Sequence, residues 1–134
     1  MKRYFVFAIN AILQQALAFL YYREWLHYYP HLAQELKRLA ALETENLLPY
    51  ALSTLFSFLL SLGLYHLLQL LRVQNLMKAV RVGLWAYLII LSPALIIHYL
   101  FLGISWLILI VDLMRELLHF VGSSAIVYIF SRER

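Results

Sequence analysis

The feature that most constrains this chain is a set of four long apolar stretches, at about 4–22, 47–71, 79–102 and 105–130. Each reaches the ~20 residues that carry a helix across ~30 Å of hydrocarbon. A lipid-exposed backbone must satisfy its own N–H and C=O groups, so helices are the expected form. A barrel needs many short alternating segments, and these runs are long and continuous. Composition points the same way. The chain has 134 residues, 64% hydrophobic and 13% charged, against roughly 25% charged in a soluble domain. A globule this small buries only part of its surface, so a soluble monomer and a disordered chain are both disfavoured. The expectation is one integral membrane domain over 1–134: an all-α, four-transmembrane-helix bundle in contact with the lipid bilayer.

Lys2 and Arg3 precede the first apolar run, as in a signal peptide. The run is long and holds Asn10, Gln14 and Gln15, so it is read as a retained span. The segment 23–46 is polar. After Pro30, which suits a helix start, Leu32, Leu36, Leu39 and Ala40 recur at helical spacing among Glu35, Lys37, Arg38 and Glu43. That pattern predicts an amphipathic helix between spans one and two. Tyr21, Tyr22, Trp25, Tyr28 and Tyr29 form an aromatic belt at its approach. Ser53, Ser57 and Ser61 make a small-residue stripe for close helix approach. Ser92-Pro93 should bend the third span.

The cations sort by side. Lys2, Arg3, Arg72, Lys78, Arg81, Arg132 and Arg134 flank one set of span ends; Arg23, Lys37 and Arg38, diluted by four glutamates, flank the other. The positive-inside rule places both termini in the cytoplasm. The net charge of +4 is therefore a topology signal, not a nucleic-acid surface. The chain has no cysteine, which removes disulfides, thiolate metal sites and thiol nucleophiles. Glu116-Leu-Leu-His119 and Glu24-Trp-Leu-His27 match the Glu-x-x-His spacing of di-iron bundles, but the further carboxylates are missing from the other spans. The four glycines are isolated, so there is no phosphate loop. No metal and no cofactor is expected.

Asp112, Arg115 and Glu116 interrupt the fourth stretch, and His119 follows. Asp112, Glu116, His119 and Ser123 lie on one helical face, with Arg115 beside it. A charge at helix centre costs about 2.5–3.5 kcal/mol on insertion scales, so these residues should face inward and pair. Arg115 can pair with Asp112 or hydrogen-bond to His119. At ~1.5 Å per residue, Asn10 and Gln14 lie at the same depth, and His66 can join from below. His66 and His98 differ in depth by about 20 Å, so they cannot grip one haem. Asn10, Gln14, His66, Asp112, Arg115, Glu116 and His119 form the candidate site, which would bind or translocate a small molecule, ion or proton. The alternative is a satisfied polar core in an accessory or structural subunit. A homo-oligomer or a membrane-complex partner fits either.

Tyr22, Trp25, Gly83, Pro93, Phe101 and Asp112 follow the pattern of an uncharacterised bacterial family of small four-span membrane proteins, the domain of unknown function DUF1761, which the chain resembles over most of its length. That family places a histidine shortly after the Asp; here Glu116 occupies that neighbourhood and His119 comes a turn later. The resemblance implies architecture and a bacterial inner-membrane location, and no activity. Locally, Arg38, Glu45 and Asn46, followed by Pro49, resemble the loop-to-helix motif of membrane-associated glutathione and eicosanoid enzymes, with Leu39 and Leu42 where that motif has alanine and asparagine. This second resemblance implies a trimeric enzyme binding glutathione between helices.

The charge sorting is testable because the chain lacks native thiols. A cysteine at Glu35 should react with a membrane-impermeant maleimide in intact cells. One at Lys78 should react only after permeabilisation. The reverse pattern would invert the topology.

Overall fold

The computed structural model describes residues 2–31 and 48–131. The expected amphipathic helix after Pro30 lies outside the described residues, as do Arg132 and Arg134. Among the described residues there are helices and no strand. They are α1 (Lys2–Tyr28), α2 (Leu48–Leu70), α3 (Leu76–Ala86), a π-helical turn (Tyr87–Leu91), α4 (Ser92–Leu102) and α5 (Trp106–Ser131). Three helical lengths are long and apolar enough to cross a membrane: Tyr4–Tyr28, Ala51–Leu70 and Leu76–Leu102, the last being α3, the π turn and α4 in series. α5 has 26 residues but carries Asp112, Arg115 and Glu116.

The helix ends follow local chemistry. α1 runs past the expected boundary at residue 22, through Arg23 and Glu24, to Tyr28. Both charged residues are good helix formers, and Pro30 is the first residue that cannot continue the ladder. α3 starts at Asn75, whose side-chain oxygen accepts from Lys78 N–H at 2.8 Å. Gly103 ends α4 in the left-handed region at φ 64, where its N–H reaches Leu100 O and Ile104 N–H reaches Tyr99 O. Ser105 then opens α5, accepting from Leu109 N–H through its carbonyl at 3.1 Å.

The disruption expected at Ser92-Pro93 takes a specific form. Pro93 has no N–H and its ring excludes the carbonyl four residues back. The turn before it widens to π geometry, with Ser92 N–H bonding to Tyr87 O, five residues back. The helix passes through the proline without ending.

α3 packs on α5, α1 packs on α2, and α5 also touches α1 and α2. One end of the core is aromatic: Phe7 meets Tyr65 at 5.6 Å and Phe58 at 6.2 Å between ring centroids, beside buried Val127 and Tyr128. The outer faces are apolar and exposed, as lipid contact requires; Phe5, Ile12 and Phe19 run down one side of α1. The tightest contact joins α3 and α5. Ala79 and Gly83, one turn apart, face Phe120, Val121 and Ser124, and a Cβ on Gly83 would sit 2.8 Å from both Phe120 O and Ser124 Cβ. Small residues four apart are how helices approach closely in lipid. The approach lets Ser124 Oγ donate to Ala79 O at 2.6 Å.

Gly83→Ala should therefore destabilise the α3–α5 pair by about 1–3 kcal/mol, the usual cost of overpacking. Gly63, where an added Cβ would meet nothing within 4 Å, is the control. Thermal melts in detergent should drop for Gly83→Ala and hold or rise for Gly63→Ala.

Candidate functional site

Asn10 is fully buried on α1 and holds three helices. Its Nδ2 donates to Ser61 Oγ of α2 at 2.8 Å and to Ser123 Oγ of α5 at 3.0 Å. Its Oδ1 accepts from Gln14 Nε2 at 3.3 Å. Ser61 Oγ donates its own proton to Ser57 O at 2.8 Å. Beside this hub Gln15 Nε2 donates to Ser53 Oγ at 2.8 Å and reaches Ser57 Oγ at 3.4 Å. The serine stripe expected to serve close packing is thus also a row of hydrogen-bond partners. Asn10 can use both amide hydrogens and its oxygen only because small residues on α2 and α5 let their hydroxyls meet it.

A second polar level lies toward the other end of α1. Twelve residues separate Asn10 from Tyr22, about 18 Å of helix. Here Asp112 accepts from two phenols, Tyr22 of α1 on Oδ1 and Tyr99 of α4 on Oδ2. Tyr21 OH donates to Val111 O at 2.9 Å, and Tyr87 OH donates to Leu113 O at 2.7 Å. The expected Asp112–Arg115 pair does not form, and the hydroxyls of Tyr21 and Tyr22 turn to acceptors on α5. Running up α1 from Asn10 to Tyr22, the partners run down α5 from Ser123 to Asp112, so the two helices are antiparallel.

Between the levels sit Arg115, Glu116 and His119. Arg115 Nη1 pairs with Glu116 Oε1, and its guanidinium lies 5.7 Å from the Tyr22 ring centroid, in cation–π range. His119 Nδ1 approaches Glu116 Oε2 at 3.3 Å. Two buried nitrogens of this group have no hydrogen-bond partner, Arg115 Nε and His119 Nε2. Both residues line a groove of about 500 Å³ between α1 and α5, with Gln14 and Tyr21 across from them and Leu17, Leu20 and Leu118 along its walls. Gly122 is in its floor; a side chain there would point at Gln14 Nε2, 3.4 Å from a Cβ.

The seven expected site residues therefore do not form one cluster. Asn10 and Gln14 join one network, Asp112 another, and Arg115, Glu116 and His119 a third between them. Only Gln14, Arg115 and His119 share the groove. His66 belongs to none of them. It is exposed and stacks edge-on against Tyr65 at 5.5 Å. The inward stripe of α2 is Ser57, Ser61, Leu64 and Leu68, and five residues past Ser61 is well over a quarter turn off that stripe. His98 is likewise exposed on α4. No group of three or more metal-ligating side chains occurs among the described residues. Arg38, Glu45 and Asn46, which carry the likeness to glutathione enzymes, lie outside them.

Sequence reasoning missed Tyr22, Tyr87 and Tyr99 as partners. The available signal was depth: each phenol lies on a span near the level of the α5 charges, and a buried Tyr hydroxyl needs an acceptor.

A family described as "Protein of unknown function (DUF1761)" matches residues 6–128, from the first turns of α1 to near the end of α5. No curated protein matches the chain, and no solved structure does.

The hub geometry makes a coupled prediction. Asn10→Ala removes the donor to Ser61 and Ser123, and should cost about 0.6–1.7 kcal/mol, the average and the maximum measured for side-chain hydrogen bonds within membranes. Asn10→Ala and Ser123→Ala together should cost less than the sum of the two single changes in a double-mutant cycle. Strict additivity would mean that the bond contributes nothing.

Proposed function

The chain belongs to the DUF1761 family of proteins of unknown function, and from that footing we propose that it is a four-span integral membrane protein that binds a small molecule in the groove between α1 and α5. α5 serves as the fourth span. Asp112 meets phenols on α1 and α4, and Arg115 and Glu116 pair with each other, which lowers the cost of placing these charges in hydrocarbon. The cation distribution supports cytoplasmic termini.

One observation carries the binding reading. Arg115 and His119 line the groove, and each also has an enclosed nitrogen lacking a partner. Buried polar groups are ordinarily paired, and exceptions mark functional positions or missing partners. The Asn10 hub has no such gap at its amide and serves as internal glue. The walls favour a molecule over a bare ion. Leu17, Leu20 and Leu118 offer nothing to replace an ion's hydration shell, whereas apolar walls with a few polar groups suit a small ligand.

A second reading rests on α4, which buries no residue of its own and leaves Ile97, Leu100 and Phe101 exposed. That face suits a partner helix in a homo-oligomer or membrane complex, with this chain as an accessory subunit.

Trp25 lines the groove and reports on it. In nanodiscs, at least one member of a panel of small amphiphiles should change Trp25 emission saturably in the Trp85→Phe/Trp106→Phe background. Gly122→Phe should abolish the response by filling the floor. Absence of any saturable response across the panel would overturn the groove reading and favour the accessory one.

A further inference from the structure

We propose that the groove's ligand is an amphiphile with a quaternary ammonium head, its chain along the apolar walls and its cation beside Glu24, Trp25, Tyr28 and Tyr29 at the end of α1. This rests on the reading of the groove as a binding site and names the ligand class.

The groove continues past Trp25. A second cavity of about 380 Å³ is lined by Glu24, Trp25, Tyr28 and Tyr29, and Glu24 and Trp25 line both spaces. The two therefore adjoin. From Gln14 to Trp25 the groove follows α1 for about 16 Å, half of the ~30 Å hydrocarbon thickness and so the reach of one lipid chain. The lining changes along that length. Leu17, Leu20, Leu118 and Ile126 line the groove, whereas the second cavity has one carboxylate and three aromatic side chains. Trp and Tyr are the residues of the membrane–water boundary, and Glu24 and Tyr28 are exposed there. An amphiphile's head belongs at that depth.

Charge selects the head. Among the described residues, the full charges lining the groove are Arg115 and Glu24. Arg115 is paired with Glu116 through Nη1, and its Nε is enclosed. Glu24 holds Arg23 at 4.0 Å, with both side chains more than half exposed, and exposed pairs of that kind contribute little. The charge available to a ligand is therefore a carboxylate, and its complement is a cation. Arg115, deeper in the groove, repels a cation, so the head stays at the Glu24 end and the chain takes the inner part.

The rings narrow the class of cation. Trp25 stacks on Tyr29, with ring planes 24° and centroids 5.4 Å apart, which fixes both side chains beside the carboxylate. Tyr28, 71% exposed, has the most open ring. Aromatic faces attract a cation but do not replace the hydrogen bonds that a primary ammonium makes with water. A quaternary ammonium makes none, and aromatic rings are its usual recognition surface.

The test uses the full chain with Trp85→Phe and Trp106→Phe, so that Trp25 alone reports, in nanodiscs of diglucosyl diacylglycerol, a neutral lipid without an amine. Dodecyltrimethylammonium should change Trp25 emission saturably. It should bind about threefold tighter than dodecylammonium, and at least about tenfold tighter than dodecyl triethylene glycol ether or dodecanoate. Glu24→Gln should weaken the quaternary cation by about threefold and leave the ether unchanged. Glu24 is exposed, so the melt of that variant should not move. Lysophosphatidylcholine carries the same head on a lipid. Tighter binding than the soluble cation assigns the site to a choline lipid and weaker binding to a soluble amphiphile; both support the quaternary head. If dodecylammonium or the ether matches the quaternary cation, with the responses abolished by Gly122→Phe, the head-group assignment is overturned while the groove reading stands. An unchanged preference in Glu24→Gln overturns it as well. No saturable response to any of these amphiphiles would overturn both.

Discussion

In hydrocarbon a polar side chain has only other protein groups to bond with. α5 carries the most such groups, and the arrangement of the other helices follows from satisfying them. α1 contributes Asn10 to Ser123, Tyr21 to Val111 O and Tyr22 to Asp112. α3 brings Ala79 O to Ser124, the π turn brings Tyr87 to Leu113 O, and α4 brings Tyr99 to Asp112. α2 enters through Ser61 and the shared hub at Asn10. Hydrophobic burial cannot organise these helices, because lipid tails are as apolar as leucine. Hydrogen bonds and close packing take its place.

The bonds sort α5 into three levels with different consequences. The Asn10 level is dry and joins α1, α2 and α5 through short side chains. The Asp112 level is closed by two phenols from α1 and α4. Between them, Arg115 and Glu116 neutralise each other within one helix, so no other helix has to come close. α1 and α5 are free to part there, and the groove occupies that gap. A local ion pair therefore has a tertiary effect: it leaves nitrogens without partners where the interhelical bonds are missing.

Close approach on the opposite side of α5 complements this. Gly83 and buried Ala79 bring α3 within backbone contact of Phe120 and Val121. The π turn before Pro93 then carries the same helix onward with Tyr87 still buried. Beyond it α4 departs from the core, touching α5 through Tyr99. The molecule is thus tight on the α3 side of α5 and open on the α1 side.

The sequence alone determined the all-helical class, the apolar lengths and several helix ends, because these depend on local chemistry. The apolar stretches expected to end at 71 and 102 end as helices at Leu70 and Leu102. It also placed Asp112, Glu116, His119 and Ser123 on one face, since helical periodicity requires it. Tertiary structure decided the partners. Asp112 chose Tyr22 and Tyr99, ninety and thirteen residues away, over Arg115 three residues along. Arg115 turned to Glu116, and His66 faced outward because its phase on α2 opposes the serine stripe. A residue's depth and face can be read from its own helix. Which side chain meets it depends on how each neighbouring helix is rotated, and that rotation is set jointly by all the contacts it makes.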